Sequence, residues 1–89
     1  MKLPVSQEFL GICQQIADTA WTNAEWAEHE ADDWFQTDHF DGGYDATERA
    51  FCFSCVRPDL SEYRFQLTLV QIDEVLAGRL EELNLMPAG

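Results

Sequence analysis

Arg49–Leu69 reads RAFCFSCVRPDLSEYRFQLTL, and its apolar residues recur with a period of two. In an extended chain Phe51, Phe53 and Cys55 point one way while Cys52, Ser54 and Val56 point the other. Pro58-Asp59 supplies a turn, after which Tyr63, Phe65, Leu67 and Leu69 alternate with Arg64, Gln66 and Thr68. Two alternating runs across a short, turn-rich connection predict an antiparallel β-hairpin over about 49–56 and 62–68. It should present Phe51, Phe53, Phe65 and Leu67 to a core. A lone hairpin is marginal in water, so it must pack on helices or gain further strands.

Helical spacing appears on both sides of the hairpin. Downstream, Thr68-Leu69-Val70-Gln71 matches a capping box, and Ile72, Val75, Leu76 and Leu80 follow at three- and four-residue steps. A C-terminal helix over about 69–83 is expected, with Gly78 either ending it or lying inside it. If Gly78 ends it, Leu80, Leu83 and Leu85 form a tail packed on the core. Upstream, Ser6 is a suitable N-cap, and Phe9, Ile12, Cys13, Ile16 and Ala20 mark an amphipathic helix over 6–21. Thr22-Asn23-Ala24-Glu25 is a second capping-box match. One helix of about 30 residues would be about 45 Å long, so a break at Thr22-Asn23 is preferred within a helix or helix pair spanning 6–35. Between this pair and the hairpin, 36–47 lacks a helical period, and Gly42-Gly43 predicts a loop with a short extended piece near Phe35–Phe40. The expected class is α+β, one small domain over 1–89.

Composition narrows the function. The 89 residues hold 17 acids against five basic residues, a net charge of −12. The apolar and aromatic content is enough for a core, which a disordered acidic tail lacks. Direct nucleic-acid binding is not expected, because five cations cannot neutralise a phosphate backbone. The start, MKLPVSQEFLG, has no signal-peptide core, and no apolar run reaches membrane-spanning length. Three cysteines form no disulfide framework and suit a reducing compartment, so a cytoplasmic protein without membrane association is expected.

The charge is densest in Glu25–Glu48, EWAEHEADDWFQTDHFDGGYDATE, which holds nine carboxylates, five aromatics and no Lys or Arg. A solvated face explains part of this, since Glu25 and Glu28 sit near a helix start, where the dipole favours anions. It explains less of Asp32 and Asp33 near the expected helix end, or of the like-charged Glu28–Asp32 spacing. Glu25, Glu28, Asp32, Asp33, Asp38 and Asp41 are therefore taken as an anionic binding surface, with Trp26 and Tyr44 as anchors.

Metal and catalytic chemistry find weaker patterns. Cys52-Phe53-Ser54-Cys55 is a C-x-x-C, and His29 and His39 would complete a zinc set. Strand alternation, however, sends Cys52 and Cys55 to opposite faces, where they are small apolar residues. His29-Glu30-Ala31-Asp32-Asp33 departs from H-E-x-x-H by carrying Asp33 at the second histidine. Asp38–Glu48 imitates a calcium loop, but Phe40 and Gly42 fall where acidic ligands are required. No phosphate loop, dinucleotide fingerprint or nucleophile elbow occurs. Neither enzymatic activity nor a cofactor is expected.

The leading expectation is an interaction protein that binds a basic protein, such as a nucleic-acid-binding protein or nuclease, as an inhibitor, immunity-type partner or DNA mimic. Carboxylates along a helix and loop can imitate phosphate spacing. In size and charge alone the chain is similar to small acidic inhibitors of nucleic-acid-binding proteins, including nuclease immunity proteins and phage anti-CRISPR proteins. That likeness shares no motif and carries no residues across. Two alternatives stay open. One is a small-ligand or divalent-cation-binding domain whose pocket is lined by Trp21, Trp26, Trp34 and Phe40 with His29 and His39. The other is a structural accessory domain or homo-oligomer.

Overall fold

Ser6 opens the first helix as its N-cap: its backbone is extended and its hydroxyl accepts the Phe9 N–H at 3.2 Å. In the computed structural model, which describes residues 2–29, 35–56 and 60–87, the elements run in the following order. They are β1 (Lys2–Pro4), α1 (Gln7–Thr19), α2 (Asn23–Glu28), β2 (Phe35–Gln36), β3 (Phe40–Asp45), β4 (Ala50–Val56), β5 (Glu62–Leu67), α3 (Leu69–Leu76), β6 (Glu82–Asn84) and β7 (Met86–Pro87). The α+β class follows directly.

α1 buries Phe9, Ile12, Cys13 and Ile16, the stripe its spacing predicts. It stops at Ala20, which adopts a left-handed conformation (φ 56°) and donates its N–H to the Ile16 and Ala17 carbonyls. Thr22 then starts α2 with both halves of the capping box in place: its hydroxyl accepts the Glu25 N–H, and the Glu25 carboxylate accepts the Thr22 N–H, each at 3.2 Å. The helical segment is thus a pair. It does not reach residue 35, because His29 caps α2 and Phe35 already lies in a strand.

The expected loop over 36–47 is corrected more strongly. β3 runs through it, with Gly42-Gly43 inside the strand and opposite Phe53 and Cys52. A Cβ on Gly42 would lie 2.2 Å from the Cys52 carbonyl oxygen and 2.9 Å from Phe53 Cα. The glycine serves close backbone approach in a ladder, not a turn. The turn comes later, at Ala46–Arg49, where Asp45 Oδ1 accepts the Thr47 and Glu48 N–H groups and Arg49 takes a positive φ of 53°.

β4 and β5 form the predicted antiparallel hairpin, with Phe53 opposite Phe65 and Phe51 opposite Leu67. Its proposed Pro58-Asp59 turn lies outside the described residues. Further strands complete an antiparallel sheet in the order β2-β3-β4-β5-β7. Leu69 does not extend β5; it starts α3, whose Thr68–Gln71 capping box is present. Nor does that helix continue to 83. Ala77 caps it, Gly78 (φ 77°) carries the chain out, and β6 pairs with β1 in a separate two-stranded sheet.

One face of the large sheet is aromatic and covered by helices. Phe9 from α1 stands 5.1–5.4 Å, centroid to centroid, from Phe53, Phe65 and Phe40, with the Phe53 and Phe65 rings edge-on to it. Trp26 from α2 lies 5.1 Å from Phe51 and 5.9 Å from Phe35. Leu83 and Leu85 close the core from the C-terminal side. The opposite face, with Asp41, Ser54, Arg64 and Gln66, has the polar alternation of an antiparallel sheet open to water on one side.

Candidate functional site

Glu25 and Glu28 are exposed on α2, which docks beside β3 at its Tyr44 end, where the Tyr44 hydroxyl donates to Asn23 Oδ1 at 3.0 Å. Glu25 is partly committed to its capping box. Asp41 is exposed near the other end of β3, roughly 10 Å along the strand from Tyr44, and Asp38 is exposed just before that strand begins. The sequence neighbours therefore divide between the two ends of β3. Asp32 and Asp33 lie outside the described residues.

The anticipated anchors are corrected by burial. Trp26 is 0 % exposed and Tyr44 3 %, so neither ring is available at the surface. The same packing occupies the aromatic lining considered for a ligand pocket: Trp26 and Phe40 are core rings, and Trp21 packs edge-on to Trp26 at 4.9 Å. Trp34 lies outside the described residues. Nothing in the sequence distinguished rings facing a cavity or solvent from rings facing each other.

The weak metal candidates are scattered. His29 stacks on Trp21 at 4.0 Å and its Nδ1 lies 2.9 Å from the Glu25 carbonyl oxygen. His39 sits beyond the other end of β3, with Nδ1 2.9 Å from Glu8 Oε1. Cys52 and Cys55 face opposite sides of β4, Cys55 buried in the core and Cys52 half-buried on the open face. Among the described residues no group of three or more His, Cys, Asp or Glu side chains is arranged to hold a metal ion. Burial pushes the Cys13 thiol up to about 12, and burial with the neighbouring Asp45 carboxylate raises that of Cys52, so neither is an activated nucleophile.

Two features escaped the sequence. The first is Glu8, whose carboxylate accepts hydrogen bonds from the Thr37 hydroxyl and from the His39 N–H at 2.9 Å. The Thr37 hydroxyl bond, with those from His39, holds the Glu8 carboxyl below its ordinary value despite partial burial. The partners are about thirty positions away, and no local pattern encodes such a contact. The second is a cavity of about 510 Å³ between β5 and the C-terminal strands, lined by polar Arg64, Gln66, Glu82 and Asn84 and by apolar Leu80 and Met86. A signal for it existed: Glu82-Leu83-Asn84-Leu85 alternates, as a strand does.

Compared with known protein-family models, with curated proteins and with solved structures, the chain gives no significant match.

Proposed function

We propose that this protein is a small interaction module that binds a basic protein surface, in an inhibitor, immunity-type or DNA-mimicking role, and that it works without catalysis. The observation that carries this is where the charge lies. The chain has a net charge of −12, and the buried set of the described residues contains no charged side chain. The charge is thus displayed, and the field it creates attracts cationic partners and speeds their encounter. Among the described residues, Glu28, Asp38 and Asp41 are the exposed carboxylates of the sequence-predicted surface; Glu25 adds charge from its cap position. No helix among the described residues is long and apolar enough to cross a membrane. A cytoplasmic setting is supported by Cys13, Cys52 and Cys55 being free thiols.

Affinity capture from the native host, run at low and then moderate salt, tests this reading. A basic protein should be retained at low salt, released as salt rises, and captured less by a Glu28→Lys, Asp41→Lys double variant. Retention of neutral or acidic proteins that neither salt nor charge reversal weakens would refute it.

A further inference from the structure

The ladder between β5 and β7 does not run on into β6. Tyr63 pairs with Pro87 and Arg64 with Met86, and that register carried further would set Gln66 against Asn84. Instead β6 turns away to pair with β1, placing Asn84 opposite Lys2 and Glu82 opposite Pro4. The strands part around the 510 Å³ cavity, a size common among small-molecule sites. Two charged side chains line it, Arg64 from β5 and Glu82 from β6. Among the described residues neither makes an ion pair, with the other or with a third group. Lys2, Arg79, Glu62, Asp73, Glu74 and Glu81 stand on neighbouring elements and do not line it. The walls therefore carry one charge of each sign, in a chain whose net charge is −12.

We propose that this cavity binds a short peptide with both termini free, two or three residues long and apolar in its side chains. An anion alone would leave Glu82 without a counter-charge, and a cation alone would leave Arg64 without one. A zwitterion answers both. Spacing sets its length. Glu82 lies four positions from Met86, the cross-strand partner of Arg64, which is roughly 13 Å of extended chain. The two side chains reach into the cavity over part of that span. The gap left between them suits termini held apart by one or two peptide units, rather than the charges of a free amino acid, which share one carbon. The flat, two-pronged Arg64 guanidinium takes the carboxylate and Glu82 takes the ammonium. Gln71, whose Oε1 accepts the Thr68 N–H at 2.8 Å, keeps its amide hydrogens for a peptide carbonyl, and Asn84 offers both a donor and an acceptor. Leu80 and Met86 supply apolar wall, and Met86, now 60 % exposed, would gain cover. This site needs no partner protein, so it and the basic-partner reading can fail separately.

Calorimetric titration of the full-length protein with leucyl-leucine tests this, beside its N-acetylated form, its C-amidated form and free leucine. About 0.15 M salt screens the general field of the chain beyond about 8 Å. Each of the three comparison ligands should bind about tenfold or more weakly than the free dipeptide. Paired variants then separate contact from damage. In Arg64→Gln the free and amidated dipeptides should bind alike, while the acetylated form stays weaker. In Glu82→Gln the free and acetylated forms should bind alike, while the amidated form stays weaker. A change that only disturbed the fold would weaken every ligand together. Lys2→Gln should leave both discriminations intact. Equal binding of a capped dipeptide or of free leucine to the parent protein overturns the proposal, as does no binding at millimolar dipeptide. Loss of carboxylate discrimination in Lys2→Gln but not in Arg64→Gln overturns it too.

Discussion

A Cβ on Gly42 would stand 2.2 Å from the Cys52 carbonyl oxygen, whereas one on Gly11 would meet nothing within 4 Å. The obstacle at Gly42 is backbone, which cannot swing aside as a side-chain tip can. Gly42→Ala should therefore destabilise the protein by on the order of 1–3 kcal/mol as β3 and β4 are pushed apart. Gly11→Ala, on the exposed side of α1, should stabilise it by about 0.5–1 kcal/mol through helix propensity. Urea denaturation of both variants measures the contrast. In the sequence Gly11 sits in a helical stripe and Gly42 in a Gly-Gly pair that reads as a loop; their opposite effects come from what stands across from them. Trp26 makes the same point. Its acidic neighbours suggested a surface anchor, but the helix carrying it turns that ring into the core.

Glu8 shows how elements are joined. It lies in the first turn of α1, where an anion suits the helix dipole, and it reaches the turn between β2 and β3 through Thr37 and His39. Because its folded carboxyl titrates below the ordinary 4.5, the unfolded chain binds the proton more readily. The contribution of this contact is full above pH about 4.5 and fades as pH falls through the folded value. Glu8→Gln should cost about 1 kcal/mol at neutral pH, with the difference from the parent shrinking in acid. Denaturation midpoints of the two proteins at pH 7 and pH 3 check this, and a difference independent of pH would exclude it. Local signals served well here where they were complete. The caps at Ser6, Thr22 and Thr68 and the hairpin of β4 and β5 were all legible, because each depends on residues within a few positions. β3 was missed because its glycines read as a turn until Phe53 and Cys52 are placed beside them.

At the scale of the whole molecule, a net charge of −12 on 89 residues repels itself in the compact state. Salt screens this repulsion, with a Debye length of about 10 Å at 0.1 M. The thermal midpoint should accordingly rise between about 0.01 and 0.5 M sodium chloride, while the capture of a basic partner weakens over the same range. Scanning calorimetry and binding measured together give the two opposite slopes. A midpoint that falls with salt would mean that the charges are arranged in net attraction.

The sequence by itself determined the α+β class, the caps, the central hairpin and the excess of carboxylates, because these follow from short-range periodicity and from counting. Only the tertiary structure decided which aromatic rings are core, that the acids divide between the two ends of β3, and that β5 and β6 part around a cavity. Each of those depends on residues far apart in the chain meeting, or failing to meet, and the closing contacts are set by packing rather than by any local preference.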